Sequence, residues 1–257
     1  LKHFINKVHG DNFSFMPRPR VIIGIPLDIT EVEKKAVEDA AKSAGARKVY
    51  LIEEVMAAAL GAGLPVDSPR ANMVVDIGGG TTDISVISLA GVVSWKSLRF
   101  AGNELDNNII DYVRDNFNVL IGEQLAERIK ISLASVIPFN EEREMEIRGR
   151  DLTTGLPTAI IISDAQVREA IKKTIIKIIE NIKLTLEETP PELVADIYEH
   201  GLYLSGGGAL LYGLDALIAK ATKIPVMVVD DPLTAMVRGA GTLFSREDLL
   251  KKVSSIF

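Results

Sequence analysis

Two apolar runs in this chain each end in three consecutive glycines. Met73-Val74-Val75 leads into Asp76-Ile77-Gly78-Gly79-Gly80-Thr81-Thr82-Asp83, and Leu202-Tyr203-Leu204 leads into Ser205-Gly206-Gly207-Gly208. A strand that ends in glycines leaves backbone N–H groups bare of side chains, so an anion such as a phosphate can come close to the main chain. Two such elements about 130 residues apart predict two half-domains facing one nucleotide. The first triplet is not followed by Lys-Ser/Thr, as a P-loop would be. No helix follows at once, as a dinucleotide fingerprint would require.

The rest of the composition narrows the class. At 257 residues the chain can bury a full core. A net charge of −6 and the lack of a basic arm argue against nucleic acid as a partner. With no cysteine, disulfides, thiolate metal sites and cysteine nucleophiles are excluded. No apolar run approaches the ~18 residues of a membrane span. The three histidines, His3, His9 and His200, have no ligand spacing. The chain opens on Leu1 inside a helical pattern, so a piece lacking upstream sequence is expected.

Periodicity gives the element order. A helix is expected over Leu1–Val8, then a loop from Gly10 to Arg20 that carries the apolar Phe13, Phe15 and Met16. A strand over 20–26 follows, then a helix capped by Thr30 with Glu33 in a capping box, ending at Gly45. Lys48–Ile52 reads as a strand that runs into Glu53-Glu54 and an alanine-rich helix to Gly61. Met73–Ile77, Asp83–Leu89 and Val92–Leu98 form a meander, with helices over 104–117 and 123–134 and two strands around Thr153-Thr154-Gly155. A long helix capped by Asp164 carries the stripe Val167, Ile171, Ile175, Ile178 and Ile182, and Pro190-Pro191 break it. A further helix is expected over Leu210–Ala221, a strand over Val226–Val229 and a helix over 238–257.

Together these stretches resemble the actin, heat-shock-chaperone and sugar-kinase ATPase superfamily. Within it the chain resembles the MreB family of bacterial actins along essentially its whole length. The stretches carrying the likeness are Leu51-Ile52-Glu53-Glu54 with Met56-Ala57-Ala58-Ala59, Val75–Thr82, Ala126-Glu127-Arg128-Ile129-Lys130, Thr189-Pro190-Pro191-Glu192-Leu193 and Leu204–Leu210. Two departures stand out. The family's upstream Asp-Leu-Gly-Thr phosphate loop has no counterpart between Leu1 and Arg20, and Val55 stands where the family usually has proline.

The resemblance implies an α/β actin-like ATPase fold of two lobes around a nucleotide cleft, with the first phosphate loop and one small subdomain absent. Residues 1–68 with a C-terminal helix 238–257 would be the remainder of the first large subdomain. Residues 69–104 and 169–237 would form the second large subdomain, and 105–168 the second small one. ATP and Mg²⁺ are the implied cofactors. Gly78, Gly79, Gly80 and Thr81 would hold phosphates, and Asp76 would bind Mg²⁺ through water. Glu54 would align the attacking water. Glu127 and Lys130 would meet ribose and adenine, and Gly206, Gly207 and Gly208 the purine. Phe13, Phe15 and Met16 would wedge into a membrane.

Each assignment has a plainer counterpart. The first triplet can simply make a tight hairpin, with Asp76 capping the turn. Glu53 and Glu54 can be first-turn acids favoured by the helix dipole. Glu127 and Lys130 can form an exposed i,i+3 pair, and the apolar loop can fold into the core. The implied function is an ATP-dependent cytoskeletal filament that determines rod shape, with slow ATP turnover coupled to polymerisation; the truncated chain itself can be inactive. Its implied location is the cytoplasm, peripheral to the inner face of the membrane. Its implied partners are further copies of itself, head to tail in single or paired protofilaments, then that membrane, cell-shape membrane proteins and the cell-wall synthesis machinery. An actin relative for plasmid or organelle positioning, a metabolite kinase and a chaperone ATPase are the rivals.

Overall fold

The structure, a computed structural model of the chain, describes residues 1–9 and 19–256. Phe13, Phe15 and Met16, with the rest of residues 10–18 of the loop expected from Gly10 to Arg20, lie outside the described residues, and Arg20 already belongs to a strand.

After helix α1 (Lys2–His9), strand β1 (Arg20–Ile25), helix α2 (Glu31–Ser43) and strand β2 (Lys48–Glu53) form a parallel βαβ unit, with Ile22 opposite Tyr50. The α2 capping box is present as expected: Thr30 Oγ1 accepts from the Glu33 N–H, and the Glu33 carboxylate accepts from the Thr30 N–H at 2.9 Å. Helix α3 (Glu54–Gly61) continues straight out of β2.

Strands β3 (Asn72–Ile77), β4 (Thr82–Ser88) and β5 (Gly91–Leu98) then form the antiparallel meander. Every residue of β4 is buried. Its Ile84 and Val86 join the larger core and its Ile87 the smaller one, so both faces are covered and the polar–apolar alternation of a one-sided strand is weak. Helix α4 (Gly102–Phe117), strand β6 (Val119–Leu120) and helix α5 (Glu123–Leu133) lead to strands β7 (Glu144–Asp151) and β8 (Pro157–Ser163). Strands β6, β7 and β8 make a small antiparallel sheet.

Helix α6 (Asp164–Glu188) buries the expected stripe from Val167 to Ile182 against the meander. Its cap is Ser163, not Asp164: Ser163 and Gln166 form the capping box. Asp164 is the first helical residue, paired instead with Arg168 at 3.0 Å. Pro191 starts helix α7 (Pro191–His200), where a missing N–H costs nothing. Strand β9 (Leu202–Ser205) pairs in parallel with β3.

The helix expected over Leu210–Ala221 is shorter. A 3₁₀ turn covers Gly207–Leu210, and helix α8 (Leu214–Thr222) starts only after Gly213, whose φ is +80°. Strand β10 (Val226–Val228) completes a five-stranded sheet in the order β10-β9-β3-β4-β5. The stretch 238–257, expected as one helix, holds the end of α9 (Ala235–Leu243), then α10 (Glu247–Val253) and strand β11 (Ser254–Ile256). Strand β11 pairs antiparallel with the outer edge of β2. Helix α3, which follows β2 of the three-stranded sheet β1-β2-β11, and helix α9, which follows β10 of the five-stranded sheet, pack on each other and join the lobes. Among the described residues no helix is long and apolar enough to cross a membrane.

Candidate functional site

The first glycine triplet makes the turn between β3 and β4, closed by the Gly78 N–H donating to the Thr81 carbonyl at 2.9 Å. The start of α4 docks behind it. The Gly102 N–H donates to the Gly78 carbonyl at 3.1 Å and the Asn103 N–H to the Gly79 carbonyl at 2.8 Å. The turn's carbonyls are thus occupied from the protein side. Among the described residues the Gly79 and Gly80 N–H groups donate to no protein acceptor.

Packing does not account for these glycines. A Cβ on Gly80 would meet nothing within 4 Å, and one on Gly78 or Gly79 would come no closer than 3.4 Å to a neighbour. The second triplet is different. A Cβ on Gly206 would lie 2.4 Å from the Ile77 carbonyl oxygen, and one on Gly208 would lie 2.2 Å from Ile77 Cγ2. Gly206 and Gly208 are therefore required by the fold, because they let the second triplet close onto the end of β3. Gly207 is exposed beside Leu233. The fold thus accounts for Gly206 and Gly208 by packing and does not so account for Gly78, Gly79 and Gly80.

Two carboxylates stand side by side at the base of the turn. Asp76 of β3 stands in register with Asp83 of β4 on one side and Ser205 of β9 on the other. Burial pushes the Asp76 carboxyl up to about 6; the Ser205 hydroxyl pulls it down and the Asp83 charge adds to the rise. Asp83 is 1% exposed. Burial raises it too, against the pull of the Ser97 and Thr81 hydroxyls. Asp83 Oδ1 is buried with no hydrogen-bond partner.

The unpartnered Asp83 Oδ1, in register beside Asp76, is an atom that a water of a hydrated cation would satisfy. Among the described residues no three acidic or histidine side chains are placed to ligate a metal together. A magnesium ion here would be held through its own waters, as its reluctance to dehydrate favours.

Glu54 comes from the other lobe. It is the first residue of α3, and its Cγ lies 3.1 Å from where a Cβ on Gly24 would stand, close to Met236 of α9. Among the described residues its carboxylate makes no hydrogen bond. Burial raises its pKa, and the charges of Asp76 and Asp83 raise it further. Glu53 lines a separate small cavity with Lys34, Ile29 and Val253.

Beside the turn, α4 and α5 enclose a cleft of about 370 Å³ lined by Asn103, Asp106, Asn107, Glu123, Gln124 and Glu127. Its walls are amides and carboxylates, suited to hydroxyl and amine donors. Lys130 does not form the expected i,i+3 pair with Glu127. Its ammonium donates to Asp106 Oδ2 at 2.7 Å and to the Gly102 carbonyl at 2.9 Å. Sequence reasoning assigned no role to Asp83 or Asp106. Asp83 could have been found, since it follows Thr81-Thr82 in the motif. Asp106 meets Lys130 across 24 positions, and no local pattern signals that contact.

Two sheets, each leading into one of a pair of packed helices, with a bare glycine turn at the end of one of them, fit an actin-like ATPase fold. Comparison with solved structures agrees. Crystal structures of MreB5 of Spiroplasma citri bound to ADP and to AMPPNP superpose with TM-scores of 0.91 and 0.90, at 34% and 33% identity. They cover 98% and 96% of this chain, which spans 74% and 75% of theirs. Residues 1–252 match the MreB/Mbl protein family. The cell shape-determining protein MreB of Escherichia coli K12 is 48% identical over 97% of this chain and 72% of its own length. The cell shape-determining protein Mbl of Bacillus subtilis is 45% identical over 98% of this chain and 75% of its own length. The chain belongs to the MreB/Mbl family.

Proposed function

We propose that this chain is the greater part of a nucleotide-dependent cytoskeletal protein that determines cell shape, as its named relatives do. The observation that carries the reading is the β3–β4 turn: its glycines are not demanded by packing, and its Gly79 and Gly80 N–H groups are free to meet an anion. In this reading Gly78, Gly79, Gly80 and Thr81 hold phosphate oxygens, and Asp76 orients a hydrated Mg²⁺, which supplies charge neutralisation when bound. Glu54 accepts a hydrogen bond from the attacking water and aligns it. Glu127 and the Gly206–Gly208 segment contact the nucleoside. The bound nucleotide touches both lobes and so favours one lobe arrangement over the other.

Copies of such a chain associate head to tail, because a heterologous interface that does not close on itself propagates into a filament. The apolar residues Phe13, Phe15 and Met16 anchor the filament to the inner face of the membrane, where it positions cell-shape membrane proteins and cell-wall synthesis. Two or three such side chains bind weakly singly and strongly when repeated along a polymer.

Electron microscopy of the protein with Mg-ATP and anionic liposomes tests this, with Glu54→Ala alongside. Filaments lying on the lipid in both samples, with phosphate release lost in the variant, are expected. Monodisperse protein under every condition would overturn the filament reading.

A further inference from the structure

The lobes are held together mainly where the chain passes between them. Besides the α3–α9 crossing, Ser68 and Val66 accept from the Leu89 and Ala90 N–H groups, and Arg238 reaches the carbonyls of Gly61 and Asp230. Among the described residues, one hydrogen-bonded pair joins the lobes outside the connecting segments 65–72 and 230–238. Arg99 of the second lobe donates from Nη2 to Asp28 Oδ2 of the first at 3.1 Å.

Both partners stand on fixed backbone. Asp28 lies just beyond the end of β1, where Ile25 is opposite Glu53, so it belongs to the end of the first sheet from which Glu54 also leaves. The capped start of α2 holds its other side. Arg99 follows Leu98, the last residue of β5, which is opposite Thr82 at the foot of the glycine turn. On the other side of Arg99, the Phe100 carbonyl accepts from Thr82 Oγ1 at 3.0 Å. Both neighbours of Arg99 are thus tied to Thr82, and joining the charges costs only side-chain freedom.

The Arg99 side chain is 84% exposed and that of Asp28 29%. The attraction is therefore small and weakened by salt. It acts on the placement of one lobe against the other, and a two-state equilibrium near balance responds to a small bias.

We propose that Asp28 and Arg99 form a clasp between the lobes: it favours the lobe arrangement of this structure, at the end where the glycine turn and Glu54 stand, and ionic strength releases it. The clasp does not depend on what the turn binds.

Single-molecule energy transfer between dyes on the two lobes tests it in the full chain. The chain has no cysteine, so Ser43→Cys on α2 and Glu180→Cys on α6, both exposed, take the dyes without competing sites. At about 10 mM salt, Asp28→Asn, Arg99→Gln and the double variant are each expected to lower the clasped-to-open ratio by the same factor, roughly two- to fivefold. The second substitution adds nothing to the first. At about 1 M salt wild type is expected to match the variants. Exchanging the charges, Asp28→Arg with Arg99→Asp, is expected to restore the ratio at low salt. Melting temperatures equal to wild type show that the lobes themselves stay folded.

A distribution of transfer efficiency that ignores both the substitutions and salt would overturn the clasp. So would losses that multiply in the double variant, or a charge exchange that behaves like the double variant. If either neutral variant melts early, the salt titration of wild type and the charge exchange still decide the matter.

Discussion

A carboxylate taken out of water keeps its proton to higher pH, and at Asp76 burial carries the value from 3.8 to about 6. Between about pH 4 and pH 6 the folded chain therefore holds a proton that the unfolded chain has released. Stability attributable to Asp76 falls as pH rises through that window and levels off above it, by up to about 3 kcal/mol. Asp76→Asn removes this burden. It is expected to be more stable than wild type at pH 7.5 by about 1–3 kcal/mol, with the gap closing toward pH 4. Urea titrations at the two pH values check this, and a variant less stable at pH 7.5 would contradict it. Asp76 and Glu54 were singled out through the family resemblance, since by position alone each reads equally as a turn-capping or first-turn acid. Asp83 and Asp106 were not assigned, since their importance comes from cross-strand register and from a tertiary ion pair.

At the scale of elements, the α3–α9 crossing joins the lobes through small residues. A Cβ on Gly239 would stand 1.8 Å from the Ala57 carbonyl oxygen, and one on Gly61 1.8 Å from that of Ala235. The backbones touch, and no rotamer change can relieve a clash with main chain. Gly239→Ala is expected to cost about 2–4 kcal/mol. Gly241, two residues on in the same helix, has open space at its Cβ. Gly241→Ala is therefore expected to gain about 0.5–1 kcal/mol from helix propensity. Equilibrium denaturation of the two variants side by side decides between close contact and propensity, and equal effects would refute the close crossing.

Element order was largely readable because apolar period and caps are local, as the Thr30–Glu33 box illustrates. The failures have a common cause. Ser254–Ile256 is a strand only because β2 offers it an edge, and α8 starts late because Gly213 takes a left-handed turn. Neither leaves a mark in hydrophobic pattern.

For the molecule as a whole, the glycine triplets had suggested two matching halves of one nucleotide site. The fold packs them differently: Gly206 and Gly208 lie against Ile77 at the end of β3, while Gly79 and Gly80 have no close neighbour at their Cβ positions. Chain packing accounts for the first pair and does not account for the second, which we propose meets a phosphate. The central claim, that the β3–β4 turn cradles phosphate, is tested most directly by Mg-ATP binding to Gly80→Val. Its Cβ meets no neighbour within 4 Å, so the variant is expected to keep the wild-type melting temperature. It should bind Mg-ATP at least roughly tenfold more weakly, because the side chain stands where the phosphate would lie. A folded Gly80→Val protein that binds Mg-ATP as tightly as wild type would contradict the account.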